Sequence, residues 1–96
     1  MKIDFKKNDT HLCVSLDGRM DAVSAPDFER FLADHMDGVT LLTINCEKLA
    51  YISSAGLRVF LAAHKKMKGC VKVTNVQELV MEVFELTGFA DILEIV

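Results

Sequence analysis

An apolar run, Leu41-Leu42-Thr43-Ile44-Asn45-Cys46, is followed shortly by Tyr51-Ile52-Ser53-Ser54-Ala55-Gly56-Leu57-Arg58 and then by apolar residues at helical spacing. A continuous apolar run of this length is a strand pattern, of the kind expected in a sheet covered by helices on at least one face. A long helix pattern starting near Ala55 must pack back over that strand, so the chain is committed to an α/β unit with its two serines at the joint. Ser54 is the expected N-cap, its oxygen accepting an amide two or three residues on. The free amides and the positive dipole end of the helix also favour a phosphate there. Two serines before a helix specify, by themselves, only a cap.

The rest of the chain repeats this grammar. Residues 2–7 and 11–17 read as two strands joined by the turn Asn8-Asp9-Thr10, with Leu12, Val14 and Leu16 on one side and His11, Cys13, Ser15 and Asp17 on the other. Ser24 with Asp27 approximates a capping box, and Pro26 suits a first turn. Phe28, Phe31, Leu32 and His35 then mark a helix face that Gly38 ends. The strand runs from Val39 to Cys46. The second helix covers residues 55–68, with Leu57, Phe60, Leu61 and His64 on one stripe and Gly69 closing it. Val71 to Thr74 is a short strand and Gln77 to Thr87 a third helix, stopped by Gly88. Ile92, Leu93 and Ile95 finish as an apolar tail or a short edge element. The order β-β-α-β-α-β-α predicts a single-domain α/β fold over residues 1–96, a mixed sheet flanked by helices joined by right-handed crossovers. Sites in such folds gather at the carboxyl ends of the strands. The stretches Gly18–Ser24 and Glu47–Ser54 are therefore expected as loops lying side by side.

With 96 residues, the chain has room for one core but little for a deep substrate cavity, which favours a binding module. A formal net charge of −3 gives no basic footprint for nucleic acid. No apolar run approaches the roughly 20 residues that cross a bilayer, and the first residues alternate like a strand, so a cytoplasmic protein without direct membrane insertion is expected. Cys13, Cys46 and Cys70 are widely spaced and read as buried, reduced thiols. His11, His35 and His64 do not cluster as metal ligands, and His64 reads as a hydrogen-bonded core residue. A serine nucleophile needs a base within about 3 Å, itself oriented by a third group. Ser-Ser-Ala-Gly is not a nucleophile elbow, and phosphate-binding glycine motifs are absent.

Four segments in order carry a resemblance over almost the whole chain. They are Leu16-Asp17-Gly18-Arg19-Met20-Asp21-Ala22-Val23-Ser24-Ala25-Pro26, Ile44-Asn45-Cys46-Glu47-Lys48-Leu49-Ala50-Tyr51-Ile52, the Ser53-Ser54-Ala55-Gly56-Leu57 joint, and Val73-Thr74-Asn75-Val76 with Phe84-Glu85-Leu86-Thr87-Gly88-Phe89. Together they resemble the STAS family, the bacterial anti-sigma-factor antagonists. Family members usually carry an acidic residue, a serine, then serine, threonine or alanine before Gly-Leu. Here Ser53 stands at the acidic position and Ala55 before the glycine, which leaves Ser54 as the middle serine. The resemblance implies Ser54 as phosphoacceptor, with Ser53 as second choice.

The implied function is partner switching. The unphosphorylated form binds a serine-protein kinase that also sequesters a sigma factor. The kinase ends the complex by phosphorylating Ser54, and a metal-dependent serine phosphatase resets it. ATP belongs to the kinase, so no cofactor and no enzymatic activity are implied for this chain. Asp21, Ser53, Ser54, Gly56 and Arg58 are the expected partner-binding residues. Blander readings stand beside these roles: Asp21 as a turn residue bonding to its own backbone, Gly56 as a small residue for close packing, Arg58 as a solvated charge. Two other functions fit the same residues, a STAS scaffold or regulatory subunit of a signalling or membrane-transport complex without phosphorylation, and a small serine hydrolase using Ser54.

Overall fold

The computed structural model describes residues 1–96. Its elements are β1 (Lys2–Asn8), β2 (His11–Met20), α1 (Ala25–His35), β3 (Leu41–Ile52), α2 (Ser54–Lys66), β4 (Val71–Thr74), α3 (Glu78–Leu86), a 3-10 turn (Phe89–Asp91) and β5 (Glu94–Ile95). The sheet order is β1-β2-β3-β4-β5; β1 pairs antiparallel with β2 and every other pair is parallel. The expected mixed α/β fold is present. The apolar tail is an edge strand, held by β4 and by the Val96 amide on the Val73 carbonyl at 2.9 Å.

Each crossover steps one strand in the same direction across the sheet, and crossovers of one hand then place their helices on one face. The packing agrees. Phe28 of α1, Phe60 of α2 and Phe84 of α3 are fully buried, with ring centroids 5.8 and 5.9 Å apart along the series. Beneath them lie Leu12, Val14 and Leu16 of β2, Leu42 and Ile44 of β3, and Val71 and Val73 of β4. The intervening residues, among them Ser15, Asn45 and Lys72, face an uncovered polar side. Phe5 of β1 extends the helical side, 5.2 Å from the Phe31 ring and 4.7 Å from His35.

Three local expectations change. Strands β2 and β3 run on to Met20 and Ile52, so neither Gly18–Ser24 nor Glu47–Ser54 is simply a loop. Strand β3 stays in step by inserting a residue twice: Ser15 lies opposite Asn45 but Asp17 opposite Lys48, and Gly18 opposite Leu49 but Arg19 opposite Tyr51. Each bulge flips the alternation, so after Ile44 and Cys46 the buried residues are Leu49 and Ile52. Of the cysteines only Cys46 is buried, its thiol pushed up to about 12 by desolvation. Cys13 is half-buried on the open side of β2 and Cys70 is exposed in the turn after α2. His64 does pack inward, but its Nδ1 is buried without a hydrogen-bond partner, so it is not the hydrogen-bonded core residue expected.

Candidate functional site

The carboxyl ends of β2 and β3 lie side by side, with Met20 opposite Ile52. The Ser53 amide donates to the Met20 carbonyl at 2.8 Å, so the ladder is carried one residue past both strands. This bond brings Asp21 next to Ser53 although 32 positions separate them in sequence. The chain then turns immediately into α2.

Ser53, not Ser54, is the N-cap of α2. Its backbone is extended (φ −94°, ψ 173°), and its hydroxyl accepts from the Gly56 amide at 3.3 Å. Ser54 is the first helical residue and is exposed. The reason is that β3 reaches Ile52, which leaves a single residue to make the turn. Ser54 Oγ thus carries no capping duty and faces solvent beside the free amides of the first turn, where the dipole favours an anion. The first turn holds no acidic side chain that would compete for those amides.

Gly56 seats the helix. It is buried, and a Cβ there would lie 2.8 Å from Met20 Cγ, 2.9 Å from Ile52 Cγ1 and 2.9 Å from Met20 Sδ. Close packing against Met20 and Ile52 calls for a glycine here, and it acts on the site by setting where Ser53 and Ser54 stand.

Asp21 is a turn residue with structural bonds. Its Oδ1 accepts from the amides of Val23 at 3.0 Å and Ser24 at 2.9 Å. These bonds, Ser24's first, hold its carboxyl below the ordinary value of 3.8. Ser24 does not form the expected capping box with Asp27, since its hydroxyl turns inward. It donates to the Arg19 carbonyl at 2.8 Å and accepts from the Asp21 amide at 2.9 Å. Arg58 is exposed one turn beyond Ser54, above a shallow cleft formed by Ala25, Pro26 and Glu29 of α1 with Ala55 and Val59 of α2. Ser53, Ser54, Asp21 and Arg58 thus share one end of the domain.

Arg19 and Tyr51 also belong to this end. The Arg19 guanidinium lies 4.2 Å above the Tyr51 ring centroid, a cation–π contact at the mouth of the β2–β3 pair. Sequence reasoning missed it because the pairing depends on both bulges of β3.

The histidines lie far from the serines. His11 opens β2, some 30 Å of strand from Met20 at about 3.3 Å per residue. His35 and His64 stand in the last turns of α1 and α2. His11 Nε2 is 2.8 Å from Thr43 Oγ1, and His35 Nδ1 is 2.7 Å from the Phe31 carbonyl. A base within about 3 Å of the nucleophile is the first requirement of serine catalysis, and no imidazole offers it to Ser53 or Ser54. No helix is long and apolar enough to cross a membrane.

The STAS domain model matches residues 2–96. The chain belongs to the STAS family. This STAS domain is 31% identical over 98 residues to the anti-sigma-B factor antagonist of Bacillus subtilis, covering 99% of this chain and 90% of that protein. It is 30% identical over 101 residues to the anti-sigma-B factor antagonist of Listeria monocytogenes, covering 99% and 88%. Among solved structures, an anti-sigma factor antagonist from Mycobacterium paratuberculosis superposes with a TM-score of 0.85 at 22% identity, covering 98% of this chain and 83% of that one. The Bacillus cell fate determinant SpoIIAA in its phosphorylated form gives 0.75 at 15% identity, covering 99% and 91%. These likenesses establish the fold, and three of these four proteins are anti-sigma factor antagonists by name.

Proposed function

We propose that this STAS domain is an anti-sigma factor antagonist switched by phosphorylation of Ser54. One observation carries the reading: of the two serines at the joint, Ser53 is used as the helix cap and Ser54 is left exposed at the first position of α2. The curated relatives are antagonists of an anti-sigma factor by name, and SpoIIAA, of the same fold, has a phosphorylated form. The partner is a serine-protein kinase anti-sigma factor, bound by the unmodified domain through the surface around Ser54, Ser53, Asp21 and Arg58. The kinase transfers the phosphoryl group from ATP to Ser54 Oγ, and a metal-dependent serine phosphatase removes it.

The switch is local electrostatics. A phosphoserine brings about −1.5 to −2 charges and three strong acceptor oxygens. On the free domain the first-turn amides of α2 tolerate it. In a desolvated interface, beside the Asp21 carboxylate, it meets repulsion and a burial cost. Losing about 3–4 kcal/mol weakens binding more than a hundredfold.

Affinity capture of the native protein identifies the kinase, and calorimetry with the wild type, Ser54→Ala and Ser54→Asp against it tests the switch. Ser54→Ala is expected to take up no phosphate and to stay bound when ATP is present. Ser54→Asp should bind more weakly, though less so than the phosphorylated form, because it carries about one charge. Phosphate mapped to Ser53 would move the acceptor by one residue. Ser54→Asp binding as tightly as wild type would instead favour a scaffold that is never phosphorylated.

A further inference from the structure

Helix α3 carries two apolar stripes, and the fold uses only one. Val80 and Phe84 are buried in the core. Leu79, Val83 and Leu86 follow each other at spacings of four and three, the repeat of a helix–helix seam; Val83 is half-buried against the core, while Leu79 and Leu86 on either side of it are left uncovered. Leu79 is 68% exposed and Leu86 82%, and Tyr51 beside them is 38% exposed. These residues with Ile52, Glu82 and Arg19 line a groove of about 310 Å³ between α3 and the end of β3. Two exposed leucines on one short helix, joined by the half-buried Val83 and by Tyr51 of β3, make a contiguous surface of the kind that marks an interaction site.

The charges around the groove choose its occupant. Glu82 lies in it, Glu78 and Glu85 stand on the same helix, and no lysine or arginine follows Lys72 in the chain. The one cation among the residues lining it, Arg19, is spread over the Tyr51 ring. A second copy of this chain is a poor match. Two α3 seams facing each other would set Glu82 against Glu82, and like charges across a contact are repulsive. The core-facing stripes of α1 and α2 are already buried, including Phe28 and Leu32, Leu57 and Phe60.

We infer that the α3 groove docks a basic amphipathic helix of another protein, its apolar face lying along Leu79, Val83, Leu86 and Tyr51 and its lysines or arginines meeting Glu82 and the neighbouring acids. This is helix-in-groove recognition read from anchors at the i, i+4 and i+7 positions. It extends beyond the Ser54 switch. The groove abuts the serine joint through Ile52, so a partner seated there also approaches the phosphorylated end.

The test needs neither kinase nor nucleotide, so its failure leaves the switch untouched. The full-length protein, labelled with 15N, is titrated with two synthetic helical peptides. Both carry leucines at alternating spacings of three and four; one is flanked by lysine and arginine, the other by glutamate. The basic peptide is expected to shift the amides of Tyr51, Leu79, Val83 and Leu86 and to bind at least about tenfold more tightly than the acidic one. Leu79→Gln with Leu86→Gln should weaken it by at least about tenfold with an unchanged circular dichroism spectrum, since both side chains are exposed. Glu82→Lys should reverse the preference between the peptides. Equal binding of the two peptides, shifts confined to another face, or unaltered affinity in these variants overturns the proposal. So does sedimentation that finds a wild-type dimer which the double leucine variant abolishes, because a second copy then covers the groove.

Discussion

Two strand-to-helix joints stand side by side at the same end of this sheet, each with a serine, and they treat the hydroxyl in opposite ways. At the β2–α1 joint, Ser24 is buried and its oxygen is engaged by the Arg19 carbonyl and the Asp21 amide. At the β3–α2 joint, Ser53 takes the capping bond and Ser54 is left facing water. The first joint is long, four residues from Asp21 to Ser24, and must satisfy its own backbone with side chains. The second is one residue long, and the ladder bond from Ser53 to Met20 already satisfies it. A serine is available for chemistry when the turn around it does not need its oxygen.

The stability of serine variants is where this contrast can break. Ser24→Ala removes the side-chain partner of the Arg19 carbonyl and of the Asp21 amide, two half-buried hydrogen bonds, and is expected to cost about 1–2 kcal/mol. For a domain of this size that lowers Tm by roughly 4–8 °C per kcal/mol. Ser54→Ala, exposed and free of capping, should stay within about 0.5 kcal/mol of wild type. Urea midpoints that are equal for the two variants would erase the distinction between the joints.

Gly56→Ala sharpens the same comparison from the packing side. At α1 the buried Ala25 already fits beneath the helix start, whereas at α2 a Cβ meets Met20 and Ile52 below 3.0 Å. Overpacking of this kind costs about 1–3 kcal/mol, offset by up to about 1 kcal/mol of helix propensity. A net loss is expected in thermal melts; a stabilised variant would mean that the Met20 thioether yields without cost.

Ser53→Ala comes next. Removing a serine N-cap typically costs about 1 kcal/mol, so its loss should exceed that of Ser54→Ala in the same denaturant series. The reverse order would restore Ser54 as the cap.

The smallest effect is Asp21→Asn, seen in its pH dependence. Hydrogen bonds from the Ser24 and Val23 amides depress the folded-state pKa. The carboxylate therefore contributes stability above its unfolded value, and that contribution is lost as pH falls through the lower folded value. The wild type is expected to exceed Asp21→Asn near neutral pH, with the difference shrinking below the ordinary value of 3.8. A difference that stays constant down the acid limb would show that the carboxylate's charge plays no part in the turn.

Periodicity along the chain determined the layers. Alternation in β2, the apolar run of β3 and the stripes through Phe28, Phe60 and Phe84 suffice to order the elements, because burying one face of each leaves few alternatives. The family motifs likewise pointed to Ser54, Ser53 and Asp21, and the helix pattern put Arg58 in the first turn beyond them; the fold brings all four to one end. Which serine caps α2 was not legible. That depends on how far β3 runs, and β3 runs to Ile52 only because it pairs with β2 through two bulges that no local pattern announces. The same bulges decide that Arg19 meets Tyr51. Ser24 with Asp27 looked like a capping box, yet the burial of the turn against the strand ends gave the hydroxyl better partners. Local sequence sets which backbone groups need satisfying; only the packed sheet decides which side chain is left to satisfy them, and which one remains free for a partner.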